Sequence, residues 1–155
     1  MATKITREII ESYLHCTYKA HLQLLKQHGT KSAYEVLRAE LQGAVRCRAI
    51  ERISVLQQDT ARDLPLSLAT LRRGKAFLLD ITLENDQASL VFDGLKRVDG
   101  PSRLGDFHYI PVLFSESRRI HKPHRLLLDL CAFLLARMQG RMPSSGIMGI
   151  SQHGV

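Results

Sequence analysis

Two acidic residues sit where apolar runs meet polar breaks. Asp93 lies inside LVFDGLKRV, and Asp106 opens DFHYIPVLF. Two or three carboxylates held together can bind a divalent ion such as Mg2+ or Mn2+. Such an ion polarises a phosphate and acidifies a water, while a basic side chain orients the nucleophile. Asp93 and Asp106 are therefore the candidate metal ligands and catalytic acids. His108, in Asp106-Phe107-His108, is the candidate basic partner. The competing expectation is that Asp93 faces solvent from a strand and Asp106 belongs to a turn, where acids are common.

A second set could meet phosphates directly. Arg118, Arg119, His121, Lys122, His124 and Arg125 crowd a polar stretch that runs into an apolar, helix-patterned one. A helix N-terminus favours anions through its free N–H groups and its dipole. Arg118, Arg119, Lys122 and Arg125 are the candidate nucleic-acid contacts; the alternative is an ordinary solvated connection. Arg38, Arg46, Arg48 and Arg52 fall off the apolar stripe of an earlier stretch. They read either as a solvated helix face or as a phosphate-facing flank. The formal net charge of +7 favours a polyanion partner, nucleic acid first.

Other chemistries lack their signatures. There is no Walker A loop, no G-x-G-x-x-G, no G-x-S-x-G and no H-E-x-x-H. The seven histidines show no strong metal-ligand spacing. Cys16, Cys47 and Cys131 are far apart, odd in number and outside any C-x-x-C pattern. A disulfide framework is not expected from them, and packing as small buried hydrophobes is.

The elements that must position these groups are readable from periodicity. Ile5 to Leu25 has apolar residues at steps of three and four on a broad face, which predicts a helix ended near Gly29. Ser32-Ala33-Tyr34-Glu35 fits a capping box and starts a second helix that runs out near Gln57. Ala61 to Pro65 reads as a loop, and Ser67 caps a short helix through Leu71. Lys75–Leu83, Gln87–Val98 and Asp106–Phe114 read as three strands, broken at Glu84-Asn85-Asp86 and at Asp99-Gly100-Pro101-Ser102. Pro123 to Gln139 is a further helix, closed by Gly140, and Gly146–Ile150 is a short fourth strand.

That order predicts an α/β (α+β) fold: two N-terminal helices, a three-stranded meander, a helix and a strand. With 155 residues, 45% hydrophobic and 24% charged, the expectation is one globular domain spanning 1–155. No apolar run approaches the roughly 20 residues of a membrane helix. The opening MATKITREIIESYL lacks a signal-peptide pattern, so a cytoplasmic protein is expected.

The opening ITREIIESYLHCTYKAHLQLL resembles the N-terminal helix of RecB-like and CRISPR-associated nucleases. The runs LVFDGLKRVDGPSRLGDFHYIPVLF and HRLLLDLCAFLLARMQG are similar to their nuclease core, which belongs to the PD-(D/E)xK superfamily. The resemblance covers nearly the whole chain. It implies a restriction-endonuclease-like core, DNA as the substrate or ligand, Mg2+ or Mn2+ as the cofactor of an active form, and a helicase or other nuclease-associated protein as a partner.

The sequence departs from the family pattern at the positions that matter. Gly94 matches the glycine of the second strand, but the aspartate usual three residues on is Arg97. The acid-x-lysine of the third strand falls on Val112-Leu113-Phe114, and the helix glutamine and tyrosine fall on Leu127 and Cys131. Cys16 matches the first cysteine of the iron–sulfur members, but the three partner cysteines are missing, so a cluster needing four thiolates is not supported. Three expectations follow. The chain is a degenerate, stand-alone or truncated N-terminal module that binds DNA; or it is an active nuclease using Asp93, Asp106 and an acid such as Glu40 or Glu51; or it is a basic protein-interaction module.

Overall fold

The computed structural model describes residues 3–27, 29–115, 117 and 119–150. Its longest strand, β4 (Ala88–Ser102), organises the sheet. On one edge β4 pairs antiparallel with β3 (Phe77–Glu84), which in turn takes the short β2 (Thr60–Arg62) in parallel. On the other edge it pairs with two strands. β5 (Gly105–Ser115) runs antiparallel along Gly94–Ser102, and β1 (Ile5–Thr6) lies parallel to Ala88 and Ser89. β6 (Ile147–Ile150) closes the sheet by pairing parallel to the last residues of β5.

The helices are α1 (Arg7–His15), α2 (Thr17–Leu24), α3 (Ala33–Leu56), the short α4 (Leu68–Arg72) and α5 (Lys122–Gln139). The expected α/β order of helices, meander, helix and strand is the order observed. α3 starts at the anticipated capping box: Ser32 Oγ accepts from Glu35 N–H, and Glu35 Oε2 accepts from Ser32 N–H at 2.9 Å. Hydrogen bonds from Lys19 and from the Ser32 backbone hold the Glu35 carboxyl down to about 2. α5 carries Pro123 in its first turn and ends on Gly140 in the left-handed region.

Four boundaries differ from the periodicity. Ile5, expected to open the first helix, forms β1 with Thr6. The first helix is two helices, because Cys16 is extended (φ −157°) and its N–H donates to Ser12 C=O. No proline or glycine marks that break, so apolar spacing passes through it unseen. Residues 60–62, read as loop, form β2. The second strand does not stop at Asp99. It continues to Ser102, because Gly100 adopts φ 138° and lets the hairpin run on to a tight turn before Gly105.

The core lies between the sheet and α5. Leu71, Leu78, Ile81, Leu95, Tyr109 and Leu135 are buried there with Cys131. Each fully buried leucine of this kind stabilises the fold by about 2 kcal/mol relative to exposure. α3 contributes little to it. Only Ile50 of its side chains is buried, whereas Tyr34, Leu37, Leu41, Val55 and Leu56 are exposed. Among the described residues, no helix is long and apolar enough to cross a membrane.

A candidate site where two strands part

The antiparallel ladder between β4 and β5 ends at Gly94 and Val112. Two residues further, the backbone of β5 finds a side chain in place of a strand: Phe114 N–H donates to Asp93 Oδ2 at 2.9 Å. On the same edge of β4, β1 covers only Ala88 and Ser89. The stretch Leu90–Asp93 thus faces an opening between β1 and β5. A cavity of ≈ 30 Å³ lies there, lined by Leu90–Asp93, Pro111–Leu113, Cys131 and neighbours on α1 and α5. It is about large enough for one water, and nearly all of its wall is apolar.

Arg7 stands at one end of this opening. The pairing of β1 fixes it, through Ile5 N–H to Gln87 C=O at 2.8 Å, and the Thr6 hydroxyl caps the helix that follows. Its guanidinium makes a two-point contact with Asp93, Nη1 to Oδ1 at 2.6 Å and Nη2 to Oδ2 at 3.4 Å. Nε of the same side chain donates to Glu11 at 2.9 Å. Burial alone would lower the Arg7 pKa, but Asp93 and then Glu11 outweigh it and hold the group more firmly protonated. Burial pushes the neighbouring Cys131 thiol up to about 12, so it is a packing group and not a nucleophile.

A second carboxylate meets the first. Leu79 pairs with Gly94 and Ile81 with Phe92, which sets Asp80 opposite Asp93 across the two strands. Asp80 has φ 49°, a left-handed conformation that Asp tolerates better than most residues. Only 9% of Asp80 and 4% of Asp93 is exposed, so both acids need partners. Arg62 Nε donates to Asp80 Oδ2 at 2.7 Å. Arg46, reaching in from α3, bonds Asp80 Oδ1 through Nη2 and lies 3.4 Å from Asp93 Oδ1 through Nη1. All four carboxylate oxygens thus already face a donor.

No family model, curated protein or solved structure matches this chain. The site therefore has to be read from its own geometry.

The structure does not bring the sequence-predicted catalytic set together. Asp93 is in the network, buried and not solvent-facing. Asp106 is exposed at the other end of β5, seven residues from Leu113, which stands beside Asp93. At about 3.4 Å per strand residue that is roughly 24 Å, far beyond a shared ion. His108 is buried, with Nδ1 3.4 Å from Gly100 C=O and Nε2 without a partner, and is likewise far down the strand from Asp93. Glu40 and Glu51 are exposed on α3. Arg118 lies outside the described residues. Arg119, Lys122 and Arg125 are exposed around the start of α5. Arg97 bonds Gly74 C=O and lies over the Phe107 ring at 5.7 Å.

Asp80, Arg7 and Arg62 carry no motif, and Arg46 is legible only as a helix-face cation, but a signal for Asp80 exists. A lone acid inside FLLDITL has to be buried on a central strand, and a buried acid requires cationic partners.

Asp80 gives the fold a pH-dependent contribution to stability. Burial raises the Asp80 pKa, but the hydrogen bonds and charges of Arg62 and Arg46 outweigh burial and hold it below its ordinary value. A depressed folded pKa contributes stability above the unfolded pKa of about 3.9 and loses it as pH falls through the lower folded value. Asp80→Asn keeps a residue suited to positive φ while removing the charge. The variant should therefore lose stability at pH 7 and show a flatter dependence than the parent as pH falls below about 4, in urea titrations at each pH. Parallel curves for the two proteins would show that Asp80 is not the group responsible.

Proposed function

We propose that this chain is a nuclease-like domain that binds DNA through the basic surface at the head of α5, with its carboxylate pair locked for structure and not open for catalysis. The observation that carries the reading is the link between that basic stretch and the strand opening. Phe114 binds Asp93, and the next residue, Ser115, binds His124 Nε2 through its hydroxyl at 3.3 Å. The exposed Arg119, Lys122 and Arg125 are thereby anchored beside the end of β5. The positive end of the dipole of the 18-residue α5 lies in the same place. Phosphates are well served by such a combination of flexible cations and a helix N-terminus. The antiparallel meander followed by a helix and a parallel strand supports the restriction-endonuclease-like reading, and a cytosolic location accords with it.

A resident divalent ion does not fit the residues as arranged. Mg2+ needs near-octahedral oxygen ligation. The two carboxylates, Asp93 at the opening and Asp80 across β4 on β3, are each engaged by arginine, and β5 places Val112, Leu113 and Phe114 where an acid and a lysine would be needed. Among the described residues no group of three His, Cys, Asp or Glu converges. The convergence of Asp80 and Asp93 is the one observation favouring the second reading, an active metal-dependent nuclease, though with Asp80 in place of Asp106.

Fluorescence anisotropy with a labelled DNA duplex tests the first reading. Replacing Arg119, Lys122 and Arg125 together with glutamine should weaken low-salt binding by roughly tenfold or more. It should also reduce the slope of log K against log salt by about 3. Unchanged affinity and slope would remove the basic surface from the interface.

A further inference from the structure

We infer that Arg46 is a tethered cation that holds the position between Asp80 and Asp93, making the carboxylate pair indifferent to divalent metal ions. The inference concerns the carboxylate pair alone and stands or falls independently of DNA binding.

Four features carry it. First, the two aspartates are opposite one another on adjacent central strands, and both are nearly inaccessible to solvent. Two such like charges cannot remain ionised side by side without a cation between them. Second, one guanidinium spans the two acids. The outer oxygen of each carboxylate is taken by a local donor, Arg62 for Asp80 Oδ2 and Phe114 N–H for Asp93 Oδ2. The two Oδ1 atoms are both within ion-pair distance of one guanidinium, that of Arg46. Arg7 also bonds Asp93 Oδ1, but no contact joins Arg7 to Asp80, and Arg62 likewise touches only Asp80 and its chain neighbour Asp63. Arg46 alone bridges the pair among the described residues.

Third, the delocalised, planar guanidinium suits this role. It reaches two separated carboxylates with two different nitrogens, which a lysine ammonium does less well. Fourth, the element that delivers it is loosely seated. α3 buries only Ile50, and the Arg46 side chain retains 31% exposure. The cation therefore comes from a helix that contributes little else to the core. A side chain placed there by packing alone would not be expected to bridge both acids.

The test uses MnCl2 against NaCl at equal ionic strength, read as the thermal midpoint of the intact chain by circular dichroism. The parent protein should show the same midpoint in both salts. Arg46→Gln should be destabilised in NaCl, and millimolar Mn2+ should raise its midpoint by about 3–6 °C. Adding Asp80→Asn to Arg46→Gln should abolish that response. If Arg46→Gln does not fold in NaCl, recovery of the folded spectrum on adding Mn2+ reads the same property. A midpoint of the parent that rises with Mn2+ and loses the rise in Asp93→Asn would overturn the inference. So would an Arg46→Gln protein whose midpoint or folded fraction is unmoved by Mn2+.

Discussion

Asp93→Ala should lower the stability of the fold by about 3 kcal/mol or more, the range found when one partner of a buried ion pair is removed. The reason is the number of groups that lose their partner at once. Arg7, whose side chain is only 25% exposed, loses both contacts to the carboxylate and keeps Glu11. Phe114 N–H, positioned past the end of the β4–β5 ladder, loses its acceptor. Arg46 loses one of its two anions. For a chain of this length the change corresponds to a fall in the thermal midpoint of about 6–12 °C. Asp93→Asn retains an acceptor for Phe114 and should fall between the parent and alanine. A loss under 1 kcal/mol for alanine in urea unfolding would mean that water replaces the carboxylate without cost, and the network would not be structural.

The second large effect is expected at Gln139. Its side chain is fully buried and occupies the edge of β5 that β6, paired only with Val112–Ser115, leaves uncovered. Gln139 Oε1 accepts from Tyr109 N–H at 2.9 Å, and Nε2 donates to Tyr109 C=O at 3.0 Å and to Arg141 C=O at 3.1 Å. The amide thus takes the place of a neighbouring strand. Gln139→Leu fills the same space and strands a buried N–H and two carbonyls, for a loss of about 3 kcal/mol at the usual penalty for unpaired buried groups. Gln139→Glu should be no milder, because it sets a carboxylate against two carbonyls that need donors. Tyr109 amide exchange checks the mechanism: protection at that residue should fall more than at Leu95 on the neighbouring strand.

These two residues mark what the sequence conveys and what it conceals. The meander, the capping box at Ser32 and Glu35, and the bounds of α5 were legible because they follow from period, turn residues and caps. Gln139 was legible only as the last residue of a helix, since the backbone it serves is 30 residues away in sequence. The sequence pairs Asp93 with Asp106 for catalysis, whereas the structure sets it beside Asp80. The true neighbour, Asp80, was hidden inside an apolar run. Pairing register decides which acids meet, and register depends on where a hairpin turns. Phe107 pairs with Asp99, so Asp106 lies far along β4 from Asp93. Spacing leaves Arg46 as either a solvated or a phosphate-facing helix residue, because it cannot see a long side chain turned back towards a charged pair.

The most direct measurement of the functional account places a labelled DNA duplex and a supercoiled plasmid with the same protein preparation. Salt is titrated in the first sample, and Mg2+ or Mn2+ is added to the second. The account predicts binding that weakens steeply and linearly in log salt, and a plasmid that stays unnicked with either ion. Absence of binding at low salt would contradict it, as would nicking that disappears in Asp80→Asn and Asp93→Asn.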